Sequence, residues 1–191
     1  MFMRLLRPAA SLIALLTALL GIVYPLVVTV AARTVFARQA EGSLLYRDGK
    51  LIGSTLIGQR FSDAKYFWGR PSATTPQVYD GAASSGSNFG PLNPELLDEV
   101  RANAKALRDA DPANRRPIPV GLVTSSASGL DPEISPADAR YQAARVARAR
   151  HMPLSQVEGL IAAHRQDRLL GLFGEPRINV LELNLALDRP H

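Results

Sequence analysis

Cysteine is missing altogether from the 191 residues. Its absence excludes disulfide scaffolds, thiolate metal sites and cysteine nucleophiles at once, while leaving the compartment open. Long runs of Lys and Arg are missing too. The net charge is +5 and the pI is near 10.0, yet the 22 basic residues are interspersed with 17 acidic ones. Binding along a phosphate backbone needs cations gathered on one face, so no nucleic-acid partner is expected. Histidine is scarce. His151, His164 and His191 stand too far apart for a local metal motif, and no metal site is expected. There is no Gly-rich phosphate loop ending in Lys-Ser or Lys-Thr, and no Asp-Lys-Thr-Gly segment offering an aspartate for phosphorylation. No Gly-x-Ser-x-Gly elbow surrounds Ser125, Ser126 or Ser128.

What is present starts with grease. No charged residue occurs between Arg7 and Arg33, and residues 9–32 are mostly Leu, Ile, Val and Ala. A helix over this run is roughly 36 Å long at the usual rise, enough to cross a hydrocarbon core of about 30 Å with some tilt. A buried core helix is rarely apolar on every face for so long. A cleaved signal peptide is the main alternative, because Arg4 and Arg7 form an n-region and Val30-Ala31-Ala32 fits a cleavage site. The apolar region of a signal ends by about 15 residues, so an uncleaved anchor is the expectation. Gly21, Tyr24 and Pro25 are candidate contacts with partner helices, since a proline removes a backbone donor that neighbouring protein compensates. Orientation stays open on charge alone: Arg4 and Arg7 flank one side, and Arg33, Arg38 and Arg47 the other.

Beyond the anchor the pattern predicts one compact mixed α/β (α+β) domain over residues 33–191. The helix is expected to continue to about Glu41. Asp48-Gly49, between Leu44-Leu45-Tyr46-Arg47 and Lys50-Leu51-Ile52, predicts a tight hairpin, with strand character continuing through Thr55-Leu56-Ile57 to Phe61. Asn93-Pro94-Glu95 opens a helix with an apolar stripe at Leu96, Leu97, Val100, Ala104 and Leu107, ending at Asp111-Pro112. Residues 120–124 read as a short buried strand. Ser135-Pro136 with Asp138 starts a second helix reaching about Arg150, and Ser155 with Glu158 reads as a capping box for a third, ending near His164. Residues 178–187 alternate at Leu181, Leu183, Leu185 and Leu187, which favours a strand, although Val180 breaks the phase and leaves a short helix open.

Two stretches suggest function. Residues 66–94 are rich in Gly, Ser, Pro and Asn without regular periodicity, yet carry Tyr66, Phe67, Trp68, Tyr79 and Phe89. A linker has little use for so many groups that gain from burial, so the stretch is expected to be functional and not a mobile linker, with Phe67, Arg70, Tyr79 and Asn88 as candidates for contact with a partner. Ser125-Ser126-Ala127-Ser128-Gly129-Leu130-Asp131 precedes a helix N-terminus. Its backbone N–H groups make it a candidate anion site, and so a candidate nucleotide site through Ser128, Gly129 and Asp131, with Gln142 and Arg145 as side-chain donors. The alternative is a loop that only caps the following helix.

In order and spacing these segments resemble the C subunit (KdpC) of the Kdp potassium-transporting P-type ATPases of bacteria. The resemblance runs through Gly21-Ile22-Val23-Tyr24-Pro25-Leu26, Leu56-Ile57-Gly58-Gln59, Tyr66-Phe67 before Arg70-Pro71-Ser72, Tyr79-Asp80 and Ser84-Ser85-Gly86-Ser87-Asn88. It continues through Val123 to Pro132, Arg145-Val146-Ala147, Gly174-Glu175-Pro176-Arg177-Ile178-Asn179-Val180-Leu181 and Leu183-Asn184-Leu185-Ala186-Leu187. It implies a bacterial inner-membrane complex with a channel-like potassium-translocating subunit, a P-type ATP-hydrolysing subunit and often a small fourth peptide. It further implies a short cytoplasmic N-terminus at residues 1–8, a single span, and a domain on the outer face. It implies an accessory role in assembly and in raising the ATP affinity of the P-type partner, with no firmly bound cofactor and ATP met only through the complex. A domain outside the membrane cannot touch ATP inside the cell, so that influence is expected to pass through the span as a coupling free energy; the alternative is a real nucleotide contact on a domain that faces inward. Two rival readings are an anchored or secreted serine hydrolase, using Ser126 or Ser128 with His151 or His164, and a stand-alone anchored binding module.

Overall fold

A computed structural model describes residues 2–189. It divides into two compact units, Met1–Ile52 and Gly53–His191. The first unit is dominated by one apolar rod. Helix α1 (Phe2–Ala18) runs through a single π-helical turn at Leu19–Val23 into α2 (Tyr24–Val35). The widened turn has a cause in the chain: Pro25 offers no N–H, and the Tyr24 N–H bonds back five residues to the Leu19 carbonyl. Leu5–Val35 is long and apolar enough to cross a membrane, and none of it is buried within the protein. The rod breaks at Phe36 before a short helix α3 (Ala37–Ala40). Strands β1 (Leu44–Arg47) and β2 (Lys50–Ser54) then pair as the expected hairpin. Asp48 and Gly49 are both left-handed, at φ 52° and 75°, which suits a two-residue turn to the twist of the strands.

The strand does not continue to Phe61 as its composition suggested. The Ser54 hydroxyl accepts the Leu56 N–H at 3.0 Å and turns the chain away from the ladder. The next regular element is α4 (Pro94–Ala110), capped by the Asn93 side chain as expected. Within its apolar stripe Leu107 is buried, and Val100 and Ala104 pack beside it, whereas Leu97 is half exposed. Residues 120–124 are not a strand. Val120–Leu122 form a 3-10 turn with Val120 72% exposed and Leu122 buried. Pro117 and Pro119 remove ladder donors on one side, and Gly121 backs so closely on Asp138 that a β-carbon there would lie 2.5 Å from its carboxylate.

The core of the second unit is built by α5 (Pro136–Arg150), α6 (Leu154–Ala163) and α7 (Val180–Leu187) around a small antiparallel sheet. Its strands are β3 (Glu133–Ile134), β4 (Arg165–Gln166) and β5 (Arg177–Asn179), in the order β3-β5-β4. Ile134 and Arg165 both face Ile178 across the ladder. Helix α5 starts with the full capping box expected of Ser135 and Asp138. Helix α6 does not use Ser155 and Glu158. It begins after Pro153, which takes the N-cap position at φ −58° and ψ 138°, so Ser155 falls inside the helix. Residues 178–187 divide: the last two residues of β5, then a helix capped by the Asn179 side chain, which accepts the Glu182 N–H at 3.0 Å. Val180, Leu183 and Leu187 are buried at helical spacing, so the alternate leucines misled. Ile134, Val146, Val157, Ile178, Leu183 and Phe67 form the centre of this core, each at most 2% exposed. Replacing Leu183 with Ala is expected to cost about 2–5 kcal/mol, from lost transfer energy and the cavity left behind. Denaturant unfolding followed by the emission of Trp68 measures it.

Candidate functional site

Residues 55–93 contain no helix or strand, so every buried peptide group there must find a partner elsewhere. Two amide side chains supply them. Asn184 on α7, 1% exposed, accepts the Phe67 N–H at 2.8 Å and donates to the Phe67 carbonyl at 3.0 Å. Gln142 on α5, equally buried, accepts the Trp68 N–H at 2.8 Å and donates to the Trp68 carbonyl at 3.0 Å. Each amide thus imitates a neighbouring strand for one residue. Arginines continue the grip. Arg145 donates to the Ala64 and Tyr66 carbonyls at 2.6 and 3.1 Å and to the Gln142 amide oxygen at 2.7 Å, with its guanidinium 4.4 Å above the Trp68 ring. Burial pulls its pKa down to about 10, which still leaves it charged at neutral pH. Arg150 donates to the Lys65 carbonyl, lies 4.9 Å over the Tyr66 ring and pairs with Asp188 at 2.7 Å.

Further along, hydroxyls take over. Ser72 donates to the Gly129 carbonyl at 2.6 Å and accepts the Tyr79 N–H at 2.9 Å. Thr74, buried, donates to the Gln77 carbonyl and accepts the Asp80 N–H. The Tyr79 hydroxyl donates to the Arg70 carbonyl at 2.5 Å. Burial, helped by the Asp131 charge, pushes that phenol up to about 12. The two Ser/Gly loops lie on each other: the Ser85 N–H and the Ser84 hydroxyl both donate to the Ser128 carbonyl at 3.0 Å, and the Ser87 and Ser125 hydroxyls meet at 3.1 Å. Only glycine fits at Gly129, which has φ 66° and whose missing β-carbon would lie 2.6 Å from the Ser85 carbonyl.

The strap so formed walls a groove of about 730 Å³. Phe61, Trp68, Arg70, Val78, Tyr79 and Phe89 line the strap side, and Glu99, Asn103, Ala106 and Leu107 line the α4 side. Of the docking-loop candidates, Arg70 and Tyr79 line this groove. Phe67 anchors the strap in the core, fully buried. Asn88 is exposed and left-handed at φ 55°, its amide donating to the Gly86 carbonyl.

The nucleotide candidates fall in two places. Ser128, Gly129 and Asp131 belong to the paired Ser/Gly loops, where Arg70 meets Asp131 at 3.1 Å. The Gly129 and Leu130 N–H groups there donate to the Ser126 and Ser128 hydroxyls. Gln142 and Arg145 lie on α5 and hold residues 64–68. Gly21, Tyr24 and Pro25 sit at the π turn and the start of α2, all exposed. His164 Nδ1 lies 2.9 Å from the Leu160 carbonyl, and His151 is the exposed left-handed cap of α5. Neither is bonded to Ser126 or Ser128, so the hydrolase reading is not favoured. His191 lies outside the described residues, and among the described residues no cluster of His, Asp and Glu is placed to hold a metal.

A family model described as "K+-transporting ATPase, c chain" matches residues 6–189. The chain belongs to the KdpC family. Curated relatives agree over nearly the whole length. The "Potassium-transporting ATPase KdpC subunit" of Variovorax paradoxus is 62% identical over 95% of this chain and 94% of its own. Those of Polynucleobacter asymbioticus and Dechloromonas aromatica are 60% and 59% identical over 96% of this chain, and 97% and 96% of their own. Membership makes this KdpC chain a subunit of a potassium-transporting ATPase.

Sequence reading missed Asn184, Ser72 and Thr74 as organisers of the strap. A signal for the first was available: an amide standing alone in Leu181-Glu182-Leu183-Asn184-Leu185 is costly to bury unless it has partners. Asn184→Leu orphans both polar groups of Phe67, at about 1–3 kcal/mol each. Amide exchange at Phe67 and Trp68 is expected to accelerate sharply, while exchange within α4 stays slow. The Tyr79 phenol gives a pH test. Between about 10, its ordinary value, and about 12 the folded state holds a proton that the unfolded chain has lost. The stabilisation is therefore complete below pH 10 and fades as pH rises toward 12. Tyr79→Phe is expected to flatten that part of the stability profile relative to the unaltered chain, measured by denaturant midpoints from pH 9 to 12.

Proposed function

We propose that the chain is a non-catalytic accessory subunit of a high-affinity, ATP-driven potassium importer in the bacterial inner membrane. It assists assembly and raises the ATP affinity of the P-type subunit. One observation supports this reading: the hydroxyls of Ser72, Thr74, Ser126 and Ser128, groups that could do chemistry, are each bonded to backbone of the strap or of the loop against it. A grooved surface fixed this way suits docking, because little ordering entropy remains to be lost on binding. The partner for this face is the channel-like potassium-translocating subunit, met through Arg70, Tyr79 and Asn88, with Phe67 as the anchor beneath.

In this reading residues 1–8 are cytoplasmic, residues 9–32 cross the membrane, and residues 33–191 lie on the outer face. The span packs through Gly21, Tyr24 and Pro25 against helices of the two large subunits. The π turn supports this, since backbone displaced from α-helical bonding is tolerated in lipid where protein compensates it. Any effect on ATP reaches the P-type subunit along that helix contact, as a coupling that is reciprocal by thermodynamic necessity. The chain itself binds no nucleotide firmly.

Because the chain has no cysteine, single cysteines at Val78 and Ser87 report contacts cleanly. Cross-linkers placed there in membranes are expected to capture the channel-like subunit; capture of neither large subunit would remove the docking assignment. Complexes lacking this chain are expected to assemble poorly and to show a raised KM for ATP. Unchanged assembly and an unchanged KM would overturn the accessory role.

A further inference from the structure

Between Arg168 and Glu175 the chain doubles back in a tight hairpin whose tip is almost wholly apolar. Leu169, Leu170, Leu172 and Phe173 are 67%, 82%, 75% and 64% exposed. Scattered exposed leucines need no explanation, but four bulky groups gathered on one projecting turn do. The turn is built. The Leu169 and Phe173 residues bond reciprocally, N–H to carbonyl, at 2.9 and 3.0 Å, and the Gly171 and Leu172 N–H groups donate to the Arg168 and Leu169 carbonyls. Leu170 and Gly171 are both left-handed, at φ 54° and 73°. A leucine held in that region is unfavourable, and here the conformation keeps its side chain in the open.

Charge stops at the base of the turn. Arg168 donates to both carboxylate oxygens of Glu175, at 2.8 and 2.7 Å, and Arg165 pairs with Asp167 at 2.6 Å. Below this collar β4 and β5 tie the hairpin to the core through Ile178.

We propose that this tip is a wedge that dips into the headgroup–acyl boundary of the lipid leaflet on the domain's side of the membrane. Three features select lipid as the occupant. Four of the tip's five N–H groups, at Leu169, Gly171, Leu172 and Phe173, are already bonded within the turn, which lowers the cost of entering an apolar phase and leaves the Leu170 N–H to the polar headgroups. The ionic groups at its base are neutralised by one another, so they do not steer toward a charged protein face, and they mark a depth of immersion of one turn. Lastly, the connection to the span is short: 18 residues lead from Val35 to Gly53, and with α3 and the β1–β2 hairpin among them their reach stays below the about 60 Å of an extended chain. Such tethering makes a weak contact effective without a large buried area. The wedge rests on Leu5–Val35 crossing the membrane.

The test uses the full-length chain in vesicles of phosphatidylethanolamine and phosphatidylglycerol, with Leu170→Cys carrying an environment-sensitive fluorophore and Glu158→Cys as the exposed control. Label at 170 is expected to shift to the blue and to lose at least half its emission to nitroxides at shallow acyl positions, while label at 158 stays aqueous and unquenched. Unchanged Trp68 emission reports an intact fold. Water-like emission at 170 without quenching, from a chain that resists alkaline carbonate extraction, overturns the wedge and leaves the span standing. A blue shift that appears only when the other subunits are added assigns the tip to a protein pocket and likewise overturns it. Extraction of the chain by carbonate would overturn span and wedge together.

Discussion

Two buried amides, Gln142 and Asn184, close on the peptide groups of two consecutive residues, and the grooved face of the domain depends on that grip. A strap with no helix or strand cannot satisfy its own backbone, and a peptide group buried without a partner costs more than most contacts return. Placing the amides on α5 and α7 means that the same helices which bury Phe67 also satisfy the peptide groups of Phe67 and Trp68. Packing and hydrogen bonding therefore favour the same position for the strap, so the groove beside it keeps its shape without regular structure.

The basic composition finds its explanation at the same level. Many arginines here answer carbonyls as well as carboxylates. Arg145 serves Ala64 and Tyr66, Arg150 serves Lys65 and Leu187, Arg116 serves Arg140 and Tyr141, and Arg70 serves Ser125. A guanidinium presents several donors in a rigid fork and stays charged even when half buried, which suits it to stapling irregular backbone. Arg145, Arg150 and Arg70 are taken up in this way in holding the strap on its helical platform.

Elements written in local code were legible in the chain. The Asp48-Gly49 hairpin, the Asn93-Pro94 start of α4 and the Ser135–Asp138 box of α5 each fix their own geometry within four residues. Readings failed where a distant neighbour decided. Val120–Leu122 turns because Gly121 must clear Asp138. Residues 178–187, left open between strand and helix, coil from Val180 onward because Val180, Leu183 and Leu187 meet the core on one helical face. Of the docking-loop candidates, Arg70 and Tyr79 line the groove, whereas Phe67 lies beneath it as an anchor. Gln142 and Arg145 hold the strap at residues 64–68, apart from the Ser/Gly loop they were grouped with.

By itself the sequence determined the apolar rod, the caps and turns, the lack of cysteine chemistry and, through the order of its motifs, the family. Those properties reside in uninterrupted runs and short spacings, where neighbours along the chain set the energy. The tertiary structure alone decided which amide holds which peptide, that two Ser/Gly loops forty residues apart lie against each other, and that four apolar side chains stand together on a bare turn. Each of those depends on groups made neighbours only by folding, and a burial or hydrogen-bonding energy has no value until both partners are in place.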